Sequence, residues 1–132
     1  MHSLHLTREQ LQIMIGHVQN HAPLEACGLL AGRHASVEKI FLVQNQARSA
    51  VRYVMNPLEQ LNAFAWIESH QMELLGIFHS HPAGPETVSP TDIAESAYAV
   101  VQIILSPMHN SWQTRGFWIE DNDYSEVELR IA

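Results

Sequence analysis

Two histidines separated by one residue, His79 and His81, are the side chains in this sequence best suited to chemistry. Side chains two positions apart on an extended segment point to the same side, so both imidazoles could reach one metal ion. The pair directly follows the apolar run 74–78, which is typical of a buried strand. Ligands commonly bind where such strands end, and neutral imidazole is a common zinc ligand. Because the chain has 9 histidines, the pair alone does not establish a metal site.

A carboxylate further along the chain, Asp92, could complete a set of three ligands with the two histidines. Asp92 falls in the first turn of a predicted helix, where Ser89 and Asp92 also have the spacing of a capping box. The capping and ligand interpretations are compatible, because a helix start fixes the position of a carboxylate well. Two histidines and one carboxylate leave a fourth tetrahedral position open, which is typical of a catalytic zinc ion.

Hydrolysis by metal-bound water also needs a base that is not itself a ligand, and Glu25 is the candidate. On local sequence alone, a solvated loop carboxylate would be the simpler interpretation of this residue. Cys27 suggests thiol chemistry as an alternative. However, a lone cysteine that opens an apolar strand is more often a small buried residue than an activated thiolate.

Together these residues resemble the JAMM motif, which defines the JAB/MPN family of zinc metallopeptidases. The resemblance covers nearly the whole chain. The matching segments are Glu25-Ala26-Cys27-Gly28-Leu29-Leu30-Ala31-Gly32 and His79-Ser80-His81-Pro82, followed by Ser89 and Asp92.

The resemblance implies a role for each polar position of the motif. His79, His81 and Asp92 would bind zinc, and Glu25 would take a proton from zinc-bound water and later give it to the leaving amine. The Ser89 hydroxyl would donate to the oxyanion of the tetrahedral intermediate. One departure concerns the path of the loop: the family often has proline just before the serine, whereas here valine precedes Ser89 and proline follows it.

Three helices are predicted around these residues. A capping box at Thr7 and Gln10 opens a helix over 8–20, which Pro23 ends. Asn56-Pro57 opens a second helix, and Ser89-Pro90 opens a third that runs to about Tyr98. For the second helix we expect a buried stripe made of Leu58, Leu61, Phe64 and Ala65.

Short apolar runs between and after these helices predict the strands of a central sheet, at 27–31, 40–43, 74–78, 100–105, 114–119 and 127–131. The longest apolar stretch, 97–105, is interrupted by Gln102 and is far too short to span a bilayer. The pattern indicates an α/β fold. The resemblance implies a three-layer cytidine-deaminase-like JAB/MPN domain with a central mixed sheet flanked by helices, as a single domain over 1–132.

Composition limits the partners and the compartment. Hydrophobic residues make up 46% of the 132 residues, which suffices for one core. The 7 basic and 14 acidic residues give a net charge of −7, which disfavours nucleic acid as a partner. With one cysteine and no apolar leader at the N-terminus, we expect a cytoplasmic protein that is not bound to a membrane. The other histidines lack partners at ligand spacing and are expected on the surface or on helix faces: His2, His5, His17, His21, His34, His70 and His109.

The short chain looks like the compact prokaryotic members of the family. That resemblance implies hydrolysis after the Gly-Gly tail of small ubiquitin-like or sulfur-carrier proteins, with the tail bound in an extended form beside the zinc. Two alternatives remain open: a non-enzymatic MPN-type interaction module, and a DNA-associated JAMM protein of the RadC type. A non-haem iron oxygenase could also use two histidines and a carboxylate, but it gives no role to Glu25 or Ser89.

Overall fold

The computed structural model describes residues 3–132, and these form seven strands and three helices. His2, expected at the surface, lies outside the described residues. The helices are α1 Arg8–His21, α2 Pro57–Ser69 and α3 Pro90–Glu95. The strands are β1 Ser3–Leu6, β2 Cys27–Arg33, β3 Ser36–Val43, β4 Glu73–Ser80, β5 Val101–Met108, β6 Ser111–Glu120 and β7 Asp123–Ile131.

The strands form one closed sheet in the order β1-β3-β2-β4-β5-β6-β7, with β7 paired to β1. The pairs β1–β3, β1–β7 and β4–β5 are parallel, and the other pairs are antiparallel. The predicted α/β class and central mixed sheet are therefore confirmed. Closure depends on β1, which the sequence did not predict because a strand of four residues is too short to show a clear alternation.

Helices cover both faces of the sheet at its middle strands. In β4, Phe78 packs with Met14 of α1, whereas the adjacent Ile77 packs with Ala63 of α2. This confirms that the apolar run of β4 is buried on both sides. Gly28 of β2 pairs with Phe78, and a Cβ at this glycine would collide with the Phe78 ring. Helices α1 and α2 thus pack against opposite faces of β4, while the sheet as a whole closes into a barrel.

The first two helices begin where the sequence predicts. Thr7 caps α1 with a complete capping box that includes Gln10, and α1 ends before the C-cap Ala22. Asn56 caps α2 by accepting the N–H groups of Leu58 and Glu59.

The predicted buried stripe of α2 is wrong except at Phe64, which is half-buried and packs against the core. Leu58 and Leu61 are 65% and 64% exposed, while the residues of α2 that are buried against the sheet are Ala63 and Ile67. More than half of the positions in α2 are apolar, so the periodicity does not single out one face. Small Ala63 lets the helix pack against the apolar cluster that contains Ile77.

The third helix is shorter than predicted. It ends at Glu95 instead of continuing to about Tyr98, and its C-cap is Ser96. The predicted strands are all present, and most are longer than the apolar runs, since β5, β6 and β7 include partly exposed ends. The strand predicted from residue 100 begins at Val101 and continues to Met108. Within residues 3–132, no helix combines the length and apolar character needed to cross a membrane.

Candidate metal centre

The register of β2 against β4 brings Glu25 to the end of the strand that carries the histidines. Cys27 pairs with His79 in this antiparallel ladder. Beyond this pair, the Ser80 N–H donates to the Ala26 carbonyl over 3.0 Å, and the Ala26 N–H donates to Ser80 Oγ over 2.9 Å. These bonds extend the pairing past the start of β2. Glu25, one residue earlier, is therefore held against the C-terminal end of β4.

His79 and His81 lie at this end of β4 with their rings buried, only 1% and 3% exposed. Their Nε2 atoms are 3.0 Å apart, as expected for side chains two positions apart. His81 Nδ1 lies 2.8 Å from the Pro85 carbonyl. Because a carbonyl can only accept, this nitrogen carries the proton and leaves the Nε2 lone pair free. The His79 ring packs on Tyr53, with ring centroids 4.6 Å apart.

Asp92 closes the group from the first turn of α3. Its Oδ1 lies 3.1 Å from His79 Nε2, and its Oδ2 lies 3.0 Å from His81 Nε2. Ser89 caps the helix: its Oγ accepts the Asp92 N–H over 3.2 Å, and its own N–H donates to Asp92 Oδ2 over 2.9 Å. The helix cap thus fixes the carboxylate in front of the two imidazoles.

The three side chains form a group that could hold a metal ion, with one ligand atom from each lying within 4.8 Å of the others. Their closest contacts of 3.0, 3.0 and 3.1 Å approach the separation of about 3.3 Å between ligands bound about 2.0 Å from a tetrahedral ion. His79 Nδ1 is buried without a hydrogen-bond partner in residues 3–132. Two imidazole nitrogens and a carboxylate oxygen are a donor set that suits zinc and leaves a fourth position open.

Burial and mutual contact set the protonation of the group. Burial lowers the pKa of His79 and so favours its neutral form. Burial also disfavours ionisation of Asp92, but hydrogen bonds from the two histidines outweigh it and hold the pKa well below its usual range. For His81, the contact with Asp92 outweighs burial and raises the pKa. Metal binding requires neutral imidazole, so a metal ion and a proton compete for Nε2 of His81.

Glu25 is buried, which rejects the alternative of a solvated loop carboxylate. It is 3% exposed, and its Oε1 has no hydrogen-bond partner among the described residues. Burial raises its pKa to about 7; the charges of Asp92 and Glu95 add to this effect, and that of His81 opposes it. A carboxyl group with such a pKa can both accept and donate a proton near neutral pH.

Asn45, which the sequence analysis did not select, holds the backbone of Glu25. Its Nδ2 donates to the Glu25 carbonyl over 3.0 Å and to the Arg52 carbonyl over 3.2 Å. Its Oδ1 accepts the N–H groups of Ala47 and Val54 over 3.0 and 2.9 Å. The buried amide thus uses both donors and both acceptor positions to tie Glu25 to the loop 46–55. No local sequence signal marks an asparagine for this task, because Glu25 lies 20 residues away along the chain.

The alternative nucleophile, Cys27, is unsuited to that role. Its thiol is buried and lies 3.6 Å from the Val43 carbonyl, and burial raises its pKa to about 12. A thiol in these surroundings is not the thiolate that nucleophilic attack requires. The interpretation of Cys27 as a small buried residue is confirmed.

A cavity of about 320 Å³ opens beside Asp92. One wall is the loop 52–55, a second is α3 with the following residues 96–98, and the floor includes Ile77 of β4 and Gln102 of β5. Arg52 and Glu95, both about half exposed, form an ion pair of 3.0 Å across these two walls. The cavity offers room for a ligand directly beside the candidate metal group.

A buried group of two histidines and one carboxylate, with a buried carboxyl group next to it and a cavity alongside, is the arrangement of a metal-dependent hydrolase centre. The model of one family, described as prokaryotic homologs of the JAB domain, matches residues 7–118. The chain belongs to this family, as the resemblance in its sequence predicted.

Two curated relatives and a solved structure support this assignment. The chain is 37% identical over 102 residues to the "probable TtuB-protein conjugate cleaving protease" of Thermus thermophilus, covering 76% of this chain and 68% of the relative. It is 33% identical over 117 residues to the desampylase of Pyrococcus furiosus, covering 86% and 81%. The solution structure of a Desulfitobacterium hafniense protein superimposes with a TM-score of 0.87 at 30% identity, covering 98% of this chain and 92% of the other.

Proposed function

We propose that this protein is a zinc-dependent peptidase that cleaves peptide or isopeptide bonds after the Gly-Gly tail of small ubiquitin-like or sulfur-carrier proteins. The observation that carries the proposal is the convergence of His79 Nε2, His81 Nε2 and the Asp92 carboxylate beside the buried carboxyl group of Glu25. The similarity to a conjugate-cleaving protease and a desampylase supports the reaction class.

His79, His81 and Asp92 would hold the zinc ion. When bound there, zinc supplies Lewis acidity and lowers the pKa of a bound water molecule towards about 7. Glu25 accepts the proton of the attacking water and passes it to the leaving amine. Its pKa of about 7 supports both transfers, since the group is then neither a weak base nor a weak acid at neutral pH.

Ser89 acts at the oxyanion of the tetrahedral intermediate. Its Oγ accepts the Asp92 N–H within the helix cap. That bond uses a lone pair of the hydroxyl oxygen and leaves the hydroxyl proton free to donate. The cap also holds Oγ next to the metal ligand Asp92, so the donor is positioned before substrate arrives.

The remaining proposals concern the setting of this reaction. Residues 1–132 act as a single three-layer cytidine-deaminase-like domain in the cytoplasm, with a carrier-protein conjugate as the partner. Nucleic acid is not a partner in this proposal, and the net charge of −7 supports that. A membrane is not a partner either.

The test uses zinc-loaded protein and three substrates: a carrier conjugate ending in Gly-Gly, the same conjugate with its last glycine changed to tryptophan, and a lysine-linked diubiquitin. Products are identified by mass spectrometry. We expect cleavage immediately after the second glycine, much slower cleavage of the tryptophan variant and poor cleavage of diubiquitin. The Glu25→Gln protein, purified in the same way, is the matched control: cleavage in its presence would come from a contaminating protease. Faster cleavage of diubiquitin, or indifference to the last residue, would overturn the substrate assignment, and loss of all hydrolysis would favour an interaction module.

A further inference from the structure

Gln102 is the polar residue that interrupts the apolar stretch 97–105, and it lies on the face of the sheet that carries the candidate metal centre. In the parallel β4–β5 ladder, Gln102 pairs with Ile77, and Ile104 pairs with His79. Residues two apart on a strand face the same side, so Gln102 lies on the face of Ile77 and His79. It lies on the strand next to that of His79, two residues before Ile104, the residue that pairs with His79.

Gln102 is only 5% exposed, yet its amide is not enclosed by protein. The fully enclosed polar side-chain atoms without a partner in residues 3–132 are Glu25 Oε1 and His79 Nδ1, so the Gln102 amide, which bonds to no described residue, is reached from the cavity that it lines. It contrasts with Asn45, the other buried side-chain amide of this region, whose four hydrogen-bonding positions are all used. Leucine or isoleucine would bury more apolar surface at this strand position, whereas glutamine presents a polar group to the cavity. The arrangement therefore points to a partner that arrives with a ligand.

The free amide faces the cavity beside Asp92. Gln102 and Ile77 form part of its floor, and Tyr53 and Met55 line one wall. A volume of about 320 Å³ is at the lower end of the range typical of ligand pockets, which suits a short, narrow segment of chain. Because Asp92 lines the same cavity, a segment bound there lies beside the candidate metal centre.

We infer that Gln102 is a substrate-binding residue that recognises a main-chain peptide group of the Gly-Gly tail. This inference rests on the proposed function and deepens it. Glycine has no side chain to bind, so a site that selects a glycine tail has to recognise its peptide groups and exclude side chains. A primary amide has N–H donors and a carbonyl acceptor, so it can donate to the C=O of a peptide group or accept from its N–H.

The test compares Gln102→Leu with wild-type protein. Leucine has a similar size but no hydrogen-bonding group, and Gln12→Leu on the exposed face of α1 is the matched control. We expect Gln102→Leu to keep its zinc content and melting temperature and to raise KM for a Gly-Gly conjugate about tenfold, the effect of one lost hydrogen bond. kcat should change less than KM. Gln102→Asn should lose affinity as well, because its amide is one methylene further from the tail.

A second measurement uses binding instead of turnover. The Glu25→Gln protein, with and without Gln102→Leu, is titrated with three peptides that end in Gly-Gly. One is the normal peptide. The other two each carry an ester oxygen in place of one peptide N–H, either that of the terminal peptide bond or that of the preceding one. If Gln102 accepts one of these N–H groups, the corresponding ester peptide binds the Glu25→Gln protein about tenfold more weakly than the normal peptide does. In the protein that also carries Gln102→Leu, the two peptides should bind almost equally.

The outcomes separate the two proposals. If wild-type protein neither cleaves nor binds any Gly-Gly tail, the proposed function fails, and this inference fails with it. If the wild type is active but Gln102→Leu has an unchanged KM and unchanged peptide affinity, the inference alone is overturned. If Gln102→Leu loses stability and zinc, and its activity falls to the same extent for every substrate, Gln102 serves packing and the inference is also overturned.

Discussion

The backbone N–H of Ser89 donates to Asp92 Oδ2 over 2.9 Å, and the same oxygen lies 3.0 Å from His81 Nε2. One carboxylate therefore closes the N-terminal cap of α3 and completes the group with the histidines. Because both functions use the same atoms, the cap sets the direction of the carboxylate before a metal ion binds. This pre-organisation lowers the cost of assembling the site.

Substitution of Asp92 should separate the helix cap from the metal site. Asp92→Asn keeps an oxygen that can accept the Ser89 N–H but loses the negative charge, so we expect most of the bound zinc to be lost with little change in melting temperature. Asp92→Ala should lose zinc and also about 1 kcal/mol of stability, as is typical of a lost cap. The measurements are zinc per chain by mass spectrometry and thermal unfolding of the chelated proteins.

The controls for this prediction come from the histidines. His79→Ala should lose zinc as Asp92→Asn does, whereas His109→Ala, in an exposed turn, should retain about one zinc ion per chain. Full zinc retention in both His79→Ala and Asp92→Asn would remove these residues from the metal site.

Ser89→Ala should reduce the rate without removing the metal. If the hydroxyl is an oxyanion donor, kcat falls about 100- to 1,000-fold while zinc content is kept. Loss of the cap would reduce stability by about 1 kcal/mol in addition. Ser89→Thr keeps a hydroxyl at the cap and should restore the stability and part of the rate. A Ser89→Ala protein that is destabilised but turns over normally would show that the hydroxyl serves only the cap.

Much of the site could be predicted because its residues follow local rules. The spacing of the two histidines, the strand before them and the capping box at Ser89 are all short-range patterns. The helix starts at Thr7 and Asn56 were equally accessible, since capping residues act within one turn.

What the sequence missed depends on contacts between distant segments. Asn45 binds the Glu25 carbonyl, and Gln102 reaches the cavity only because β5 pairs in parallel with β4. The exposed Leu58 and Leu61 were mistaken for core because α2 is apolar on more than one face. No local pattern states which strand pairs with which, or which side of an apolar helix meets the sheet.

Asn45→Ala should disturb the position of Glu25 and leave the metal site intact. The substitution removes four hydrogen bonds and leaves the buried Glu25 carbonyl without its side-chain partner, so we expect a loss of about 2 kcal/mol in the free energy of unfolding. Zinc content should be kept, and kcat should fall because the Glu25 backbone is no longer fixed. Asn62→Ala, at an exposed position of α2, is the matched control. Normal kcat in a folded Asn45→Ala protein would contradict this positioning role.

Glu25→Gln should stabilise the chelated protein at high pH. The pKa of Glu25 is raised from 4.5 to about 7 by burial, so the folded state binds its proton more tightly than the unfolded state does. The contribution of this group to stability is therefore fully present below pH 4.5 and is lost as the pH rises through about 7. Above that pH the wild type bears the cost of a buried charge, on the order of 3 kcal/mol, which the neutral glutamine avoids.

The measurement is urea unfolding of the wild type and of Glu25→Gln between pH 5 and pH 9 in the presence of a chelator. Because other groups contribute to the pH dependence of both proteins, the informative quantity is the difference between the two proteins at each pH. We expect this difference to favour Glu25→Gln increasingly as the pH rises through about 7 and to level off above it. Zinc should reduce the difference, since a nearby cation favours the ionised carboxylate. A difference that stays constant with pH would show that Glu25 titrates alike in the folded and unfolded states, and the proton transfer assigned to it would then lack its physical basis.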